Sequence, residues 1–308
     1  MKITCFGSGV FSLAIANLLS KNKNHQITIW TPDETFEKKA HQENKLYFDG
    51  KNLEKPKNIF VTTNIEEALK DTKAIFLLVA SPYIKDTILQ IKKYYKSSIP
   101  IFIGSKGLLD EKPYFYSKYI KNALNTHKIA FFAGPNLAAD LILGAEVFIT
   151  VATKEKSVFD LFVSLVPKRI HLERMKEERA LELGSVLKNI YAIGAGMAYA
   201  KSPFSSTIFS YLTECYKEYI QILYYVLDYP SENIYAGTLG DFFLTGSSMS
   251  SRNFSYGRLL IKTKKEASIF LKQNTVEGYI GLKSINSLIK KKEKFPLLYS
   301  IYKQTYEK

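Results

Sequence analysis

Ile3-Thr4-Cys5-Phe6-Gly7-Ser8-Gly9-Val10-Phe11-Ser12, running on into the helix-prone stretch 13–19, decides the fold. A short apolar β-type run ends in two glycines spaced by one residue, and an apolar helical pattern begins at once. Gly7 permits a tight turn, Gly9 lets backbone approach a pyrophosphate, and the start of the helix offers unpaired N–H groups to it. The pattern is Gly-x-Gly-x-x-Gly with Ser12 in the third place, a residue small enough for close helix-to-strand packing. A plain glycine turn is the competing reading. The strand-turn-helix context, leading to another strand from Ile27, favours the dinucleotide site.

Working outward, the first half alternates apolar runs at residues 3–6, 27–30, 59–62, 74–80, 101–104, 129–133 and 147–152 with helical stretches. That alternation predicts an α/β architecture, a Rossmann-type doubly wound parallel sheet. Residues 74–80 are apolar throughout, as suits a central strand buried on both faces. From about Glu177 long helical patterns take over, at 180–199, 207–227 and 277–289. The sequence therefore predicts a dinucleotide-binding domain over residues 1–178 and a mainly α-helical substrate and catalytic domain over 179–308. A carboxylate about 20 residues beyond the glycines would accept a ribose 2′-hydroxyl and repel a 2′-phosphate. Asp33 or Glu34 stands there with no arginine nearby. NAD is preferred over NADP, although Lys38 and Lys39 are within reach of a phosphate.

The composition narrows the function class. A formal charge of +14 attracts polyanions, anionic membranes and anionic small molecules alike. The 21 tyrosines and 20 phenylalanines show no spacing that fits a nucleic-acid-binding module, so no nucleic-acid partner is expected. Cys5 and Cys215 lie far apart among apolar neighbours, which suits a reduced, cytoplasmic chain without a disulfide framework. His25, His41, His127 and His171 have no metal-ligand spacing, and no metal is expected. The apolar N-terminal stretch is broken at residues 7–9 and lacks a small-residue cleavage site, which argues against a signal peptide. Pro135, Asp140 and Glu146 interrupt the other long apolar stretch, so no integral membrane segment is expected.

Residues 180–198 place Lys188 within a helical pattern of apolar and small residues. Burying an ammonium there is costly unless it meets a carboxylate. A desolvated lysine has its pKa lowered toward neutrality, which suits acid and base chemistry, while a lysine snorkelling to the surface is the alternative. Polar segments, three of them bearing glycine, recur at Gly104-Ser105-Lys106-Gly107, Gly134-Pro135-Asn136, Gly240-Asp241 and Ser251-Arg252-Asn253. Taken singly, each reads equally well as an ordinary turn.

Together, in order and approximate spacing, these segments resemble the NAD(P)-dependent glycerol-3-phosphate dehydrogenases over nearly the whole chain. Leu187-Lys188-Asn189, Leu239-Gly240-Asp241 with Leu244-Thr245, and Val276-Glu277-Gly278 join the carriers. The resemblance implies an enzyme that interconverts dihydroxyacetone phosphate and glycerol 3-phosphate with NAD or NADP, supplying phospholipid synthesis. Lys188 resembles the catalytic lysine, Lys106 a second active-site lysine, and Asp241 the carboxylate that orients the first. Asn136, Asn189, Thr245, Arg252 and Asn253 match substrate contacts. Gly7, Gly9, Val10, Phe11, Asp33, Lys106, Ala138, Arg252 and Glu277 fall on the cofactor side. A homodimer through the helical domain is also implied.

The chain departs from the family pattern after the catalytic helix. A glycine-rich segment is replaced by Lys201-Ser-Pro-Phe-Ser-Ser206, and a Thr-Arg-Gly by Thr213-Glu214-Cys215. Aromatic residues crowd positions 216–225, and the chain stops at Lys308, before the last helix common in the family. Two other readings therefore stand beside the first. One is a related β-hydroxyacid or ketopantoate-type reductase, and the other a catalytically impaired NAD(H)-binding sensor.

Overall fold

Residues 1–48, 51–112, 114–229 and 234–307 are described by the computed structural model, and the chain divides into two compact units. The first comprises Met1–Ser105, Ser117–Phe132 and Asn136–Glu178; the second comprises Lys106–Tyr116, Ala133–Pro135 and Arg179–Lys308.

The first unit carries strands β1 (Lys2–Phe6), β2 (Gln26–Trp30), β3 (Lys45–Phe48), β4 (Lys51–Glu54), β5 (Ile59–Thr62), β6 (Ala74–Leu77), β7 (Ile101–Ile103), β8 (Ile129–Ala133), β9 (Val147–Ala152) and β10 (Ile170–Met175). Eight of these form one sheet in the order β10-β9-β8-β7-β6-β1-β2-β5. Strand β1 pairs in parallel with both β2 and β6, so the order reverses at the strand that ends in Gly7. Ligands bind outside the carboxyl ends of strands at such a switch point. The doubly wound parallel sheet expected from the sequence is thus present.

Three features differ from the sequence reading. The central strand stops at Leu77 instead of continuing to residue 80, because Pro82 lies in a tight 3-10 turn over Ser81–Tyr83. Strand β10 was not expected: its run His171-Leu-Glu-Arg174 is interrupted by charge because it is only half-buried. The antiparallel pair β3 and β4 lies outside the main sheet and was also not expected.

Helices α1 (Val10–Ser20), α2 (Glu34–Gln42), α3 (Ile65–Leu69), α4 (Ile84–Lys92), α5 (Tyr116–Leu124), α6 (Ala138–Leu143) and α7 (Lys156–Leu165) follow the strands. Beneath them Phe76, Phe102, Phe132 and Phe162 pack ring against ring at centroid distances of 4.9 to 5.9 Å. Their burial supplies a large share of the apolar driving force.

The second unit is built from α8 (Glu178–Lys201), α9 (Ser205–Leu227), α10 (Asp241–Ser247), α11 (Arg252–Lys262), α12 (Lys264–Gln273), α13 (Glu277–Leu288) and α14 (Pro296–Tyr306). Helix α8 is its axis, apolar and buried along most of its length. Glycines let other helices touch its backbone. A Cβ on Gly257 would overlap the carbonyl oxygen of Ile193, one on Gly196 that of Phe254, and one on Gly278 that of Asn189. Helices α11 and α13 are thereby registered against the two turns that follow Lys188. Among the described residues, no helix is long and apolar enough to cross a membrane.

Candidate active site

Each unit assembles its own set of candidate residues. In the first, Gly7 adopts φ +118°, a conformation that L side chains rarely take, and its Cα faces the carbonyl of Leu78. Ser12, in the place of the third glycine, is buried, and its hydroxyl donates to the Gly7 carbonyl at 2.6 Å. The small side chain therefore pins the turn as well as fitting beneath it. Gly9 caps α1 without a side-chain hydrogen bond, and a Cβ built there meets nothing within 4 Å. The open space lies directly over the N-terminus of an 11-residue helix. Val10 is exposed in the first turn, and Phe11 stacks on Phe132 at 6.2 Å.

Asp33 follows β2 as the N-cap of α2, and its Oδ1 accepts from the Phe36 N–H at 3.0 Å. Glu34 instead reaches Lys38 at 3.5 Å on the exposed face of α2. Thr31 ties the two loops together, its hydroxyl 2.8 Å from that of Ser8. Asn136 is buried, and its Nδ2 has no hydrogen-bond partner among the described residues. Ala138 opens α6 two residues later. A vacant Gly9 Cβ position, an uncapped helix start and an orphaned amide donor fit a pyrophosphate-bearing dinucleotide. A cleft of about 540 Å³ also lies in this unit, lined by Lys2 and Gln26 at the amino-terminal ends of their strands. Those strands present the Gly7 turn at their opposite ends, so the cleft is not part of the dinucleotide set.

In the second unit Lys188 and Asp241 form an ion pair with side chains only 3% and 4% exposed. Thr245, one turn along α10, donates to the same Asp241 oxygen, Oδ1, at 3.4 Å, while Oδ2 is buried with no hydrogen-bond partner among the described residues. Asp241 follows directly on a π-helical turn, Ala236–Gly240. Phe242 beside it is enclosed by Tyr191, Tyr216 and Tyr219 at 5.2 to 5.8 Å. Tyr216 and Tyr219 thus pack against the helix that carries the carboxylate.

The Lys188 pKa is lowered to about 7: burial is the largest cause, the charge of Asp241 opposes it, and the neighbouring ammonium of Lys106 acts in the same direction as burial. Lys106 belongs to this unit although it follows a strand of the sheet. Lys188, with one carboxylate and a second lysine beside it, is therefore poised to exchange a proton near neutrality.

The asparagines form a second network. Asn189 Nδ2 donates to the Ser185 carbonyl at 3.2 Å, Asn253 Nδ2 donates to Asn189 Oδ1 at 2.9 Å, and Asn253 Oδ1 accepts from the Gly278 N–H at 2.8 Å. Each amide nitrogen carries a second N–H for a ligand. Arg252 opens α11 and is exposed, next to the N-cap Ser251, whose hydroxyl accepts from Phe254 at 3.4 Å. Glu277 opens α13, immediately before Gly278. The sequence reading missed that Gly278 and Gly257 set these asparagines in place. Neither glycine lies in a turn, and a crossing of two helices leaves no local signal.

The chain matches the model of the NAD-dependent glycerol-3-phosphate dehydrogenase N-terminus over residues 2–159 and that of the C-terminus over residues 178–308. It is 28% identical over 297 residues to the glycerol-3-phosphate dehydrogenase [NAD(P)+] of Rickettsia prowazekii, covering 94% of this chain and 93% of that protein. The fold is shared with glycerol-3-phosphate dehydrogenase of Coxiella burnetii, at a TM-score of 0.88 and 21% identity over 99% of this chain and 94% of that one. It is shared also with the Plasmodium falciparum enzyme, at 0.89 and 20% identity over 100% and 92%. With both of its halves matched, the chain belongs to the NAD-dependent glycerol-3-phosphate dehydrogenase family.

Proposed function

We propose that the chain interconverts dihydroxyacetone phosphate and glycerol 3-phosphate, with Lys188 as the general acid and base. The observation that carries this reading is the buried Lys188–Asp241 pair with Lys106 beside it. Bound at the Gly7–Ser12 turn, NAD(P)H supplies the hydride. Lys188 gives its Nζ proton to the carbonyl oxygen during reduction and takes it back during oxidation. Asp241 orients Lys188, and the second cation, Lys106, stabilises negative charge on the developing alkoxide. Arg252 offers a planar donor pair to the substrate phosphate, with Asn189, Asn253, Thr245 and Asn136 as further contacts. Gly7, Gly9, Val10, Phe11, Asp33, Ala138 and Glu277 are assigned to the cofactor, residues 1–178 to its domain and 179–308 to the substrate.

Asp33 at the end of β2, with no arginine near it in sequence, supports NAD over NADP. Parallel titrations with NADH and NADPH test this, and equal affinities would remove the preference. A homodimer through the helical domain is supported by the exposed Phe204 and Phe209, 66% and 50% accessible, at the start of α9. Sedimentation of the purified protein decides it, a single monomer species at micromolar concentration being the contrary result. Buried, unpaired Cys5 and Cys215 suit the cytoplasm, and fractionation of the source cells is the test. The product would feed phospholipid synthesis.

The experiment for the reaction is oxidation of NADH or NADPH with dihydroxyacetone phosphate, compared with ketopantoate and short β-keto acids. Faster turnover of an unphosphorylated acid would replace the proposed substrate. Cofactor binding without turnover of any of them would support the sensor.

A further inference from the structure

Lys106 lies in a segment, Lys106–Tyr116, that follows β7 in sequence yet packs with the helical unit. The turn beyond Lys106 needs Gly107, whose φ is +145°. Leu108 and Phe115 are buried in the helical core. Two polar contacts fix the segment's course. The hydroxyl of Ser284, in the middle of α13 and only 1% exposed, lies 2.8 Å from Asp110 Oδ1 and 3.3 Å from the carbonyl oxygen of Leu108. The N–H of Tyr116 donates to the carboxylate of Glu182 on α8, which is wholly buried. An exposed bridge from Lys283 to Asp110 at 3.2 Å adds a peripheral contact.

Helix α13 therefore serves two ends. Its first turn holds Asn253 through the Gly278 N–H, and Asn253 holds Asn189, the residue after Lys188. Its middle grips the chain two residues beyond Lys106. Gly281, between the two points, brings α13 against Val186 of α8, where a Cβ would collide with that side chain. One rigid helix thus sets both the asparagines and the Lys106 segment against the helix that bears Lys188. A hydroxyl buried at such a point costs free energy unless its partner is present, so the contact favours one course of the segment over others.

We propose that Ser284 is a positioning residue for the reaction, acting through Leu108 and Asp110 to keep Lys106 beside Lys188. This rests on the functional reading above for its effect on rate, but not for its effect on Lys188 itself. Ser284→Ala and, as a milder change at an exposed position, Asp110→Ala release the segment. Asp110→Asn retains an Oδ1 that accepts from Ser284, and Lys283→Ala removes only the peripheral bridge.

Two measurements on the full chain decide the matter. Steady-state reduction of dihydroxyacetone phosphate should lose about 3- to 10-fold in kcat in Ser284→Ala and Asp110→Ala, the size of one lost buried hydrogen bond. Asp110→Asn and Lys283→Ala should stay near the parent rate. Titration of Lys188 by NMR of isotope-labelled lysine side chains, assigned with Lys188→Arg, should show its pKa rising by roughly one pH unit in the two released variants as the Lys106 charge moves away. An unchanged Lys188 titration in both released variants would overturn the proposal, even if their thermal stability fell. A parent protein that turned over nothing would instead overturn the proposed reaction and leave the titration to decide the role of Ser284.

Discussion

Lys188 and Asp241 meet as an ion pair sealed from solvent, and the charge of Asp241 raises the pKa of that lysine. Asp241→Asn keeps the shape and removes the charge, leaving burial and Lys106 unopposed. The Lys188 pKa then falls below its parent value. Ketone reduction, which needs the protonated lysine, should drop at least about tenfold at neutral pH, and its pH profile should move toward acid. Initial rates across pH check this; a profile that stays in place would remove Asp241 from the proton's environment.

The parent profile has a definite sign in each direction. Reduction consumes a proton from Lys188, so its rate should fall as pH rises through about 7. Oxidation of glycerol 3-phosphate needs the neutral amine, so its rate should rise through the same value. Two profiles that fall together would contradict the assignment of one group to both roles.

The two glycine types should separate stability from binding. Gly257→Ala drives a methyl into the Ile193 carbonyl and must part α11 from α8, costing about 1–3 kcal/mol or more in denaturant unfolding. Gly9→Ala meets no protein atom and keeps a φ of −71° that alanine adopts, so its stability cost should stay within about 1 kcal/mol. Its NADH affinity should nevertheless fall, because the methyl occupies space open to the pyrophosphate. Undiminished NADH binding by Gly9→Ala would place the cofactor elsewhere.

How far the sequence announces all this depends on how local each signal is. Strand β1, the Gly7 turn and α1 are legible because one short segment contains the whole device, and Lys188 stands out as a charge in an apolar helix. Strand β10 is hidden because His171, Glu173 and Arg174 break its apolar run on a half-buried edge strand. The attachment of Lys106 to the helical unit is hidden for another reason. It depends on Glu182 and Ser284, distant along the chain, and nothing around Lys106 encodes them. Asn189 and Asn253 are legible through the segments Leu187-Lys188-Asn189 and Ser251-Arg252-Asn253 that carry the family resemblance, but not as partners of each other.

Glu218 gives a prediction free of the reaction. Its buried carboxylate accepts from Tyr191 Oη at 2.8 Å and from the Leu297 and Leu298 N–H groups at 2.9 and 2.7 Å, capping α14. Glu218→Ala leaves the Tyr191 hydroxyl and the buried Leu298 N–H without that acceptor and should cost about 1–3 kcal/mol. Amide exchange should quicken first in α14. Uniform exchange across the helical unit would mean that α14 is held by its apolar face alone.

The central claim is that Lys188 moves the proton in hydride transfer to a phosphorylated ketone. Its most direct measurement is NADH oxidation with dihydroxyacetone phosphate by the parent protein and by Lys188→Ala, both verified as folded and as binding NADH. The parent should turn over, and the variant should lose about 10²- to 10⁴-fold in kcat, the usual contribution of a positioned acid or base. Equal rates in the two proteins would contradict the claim.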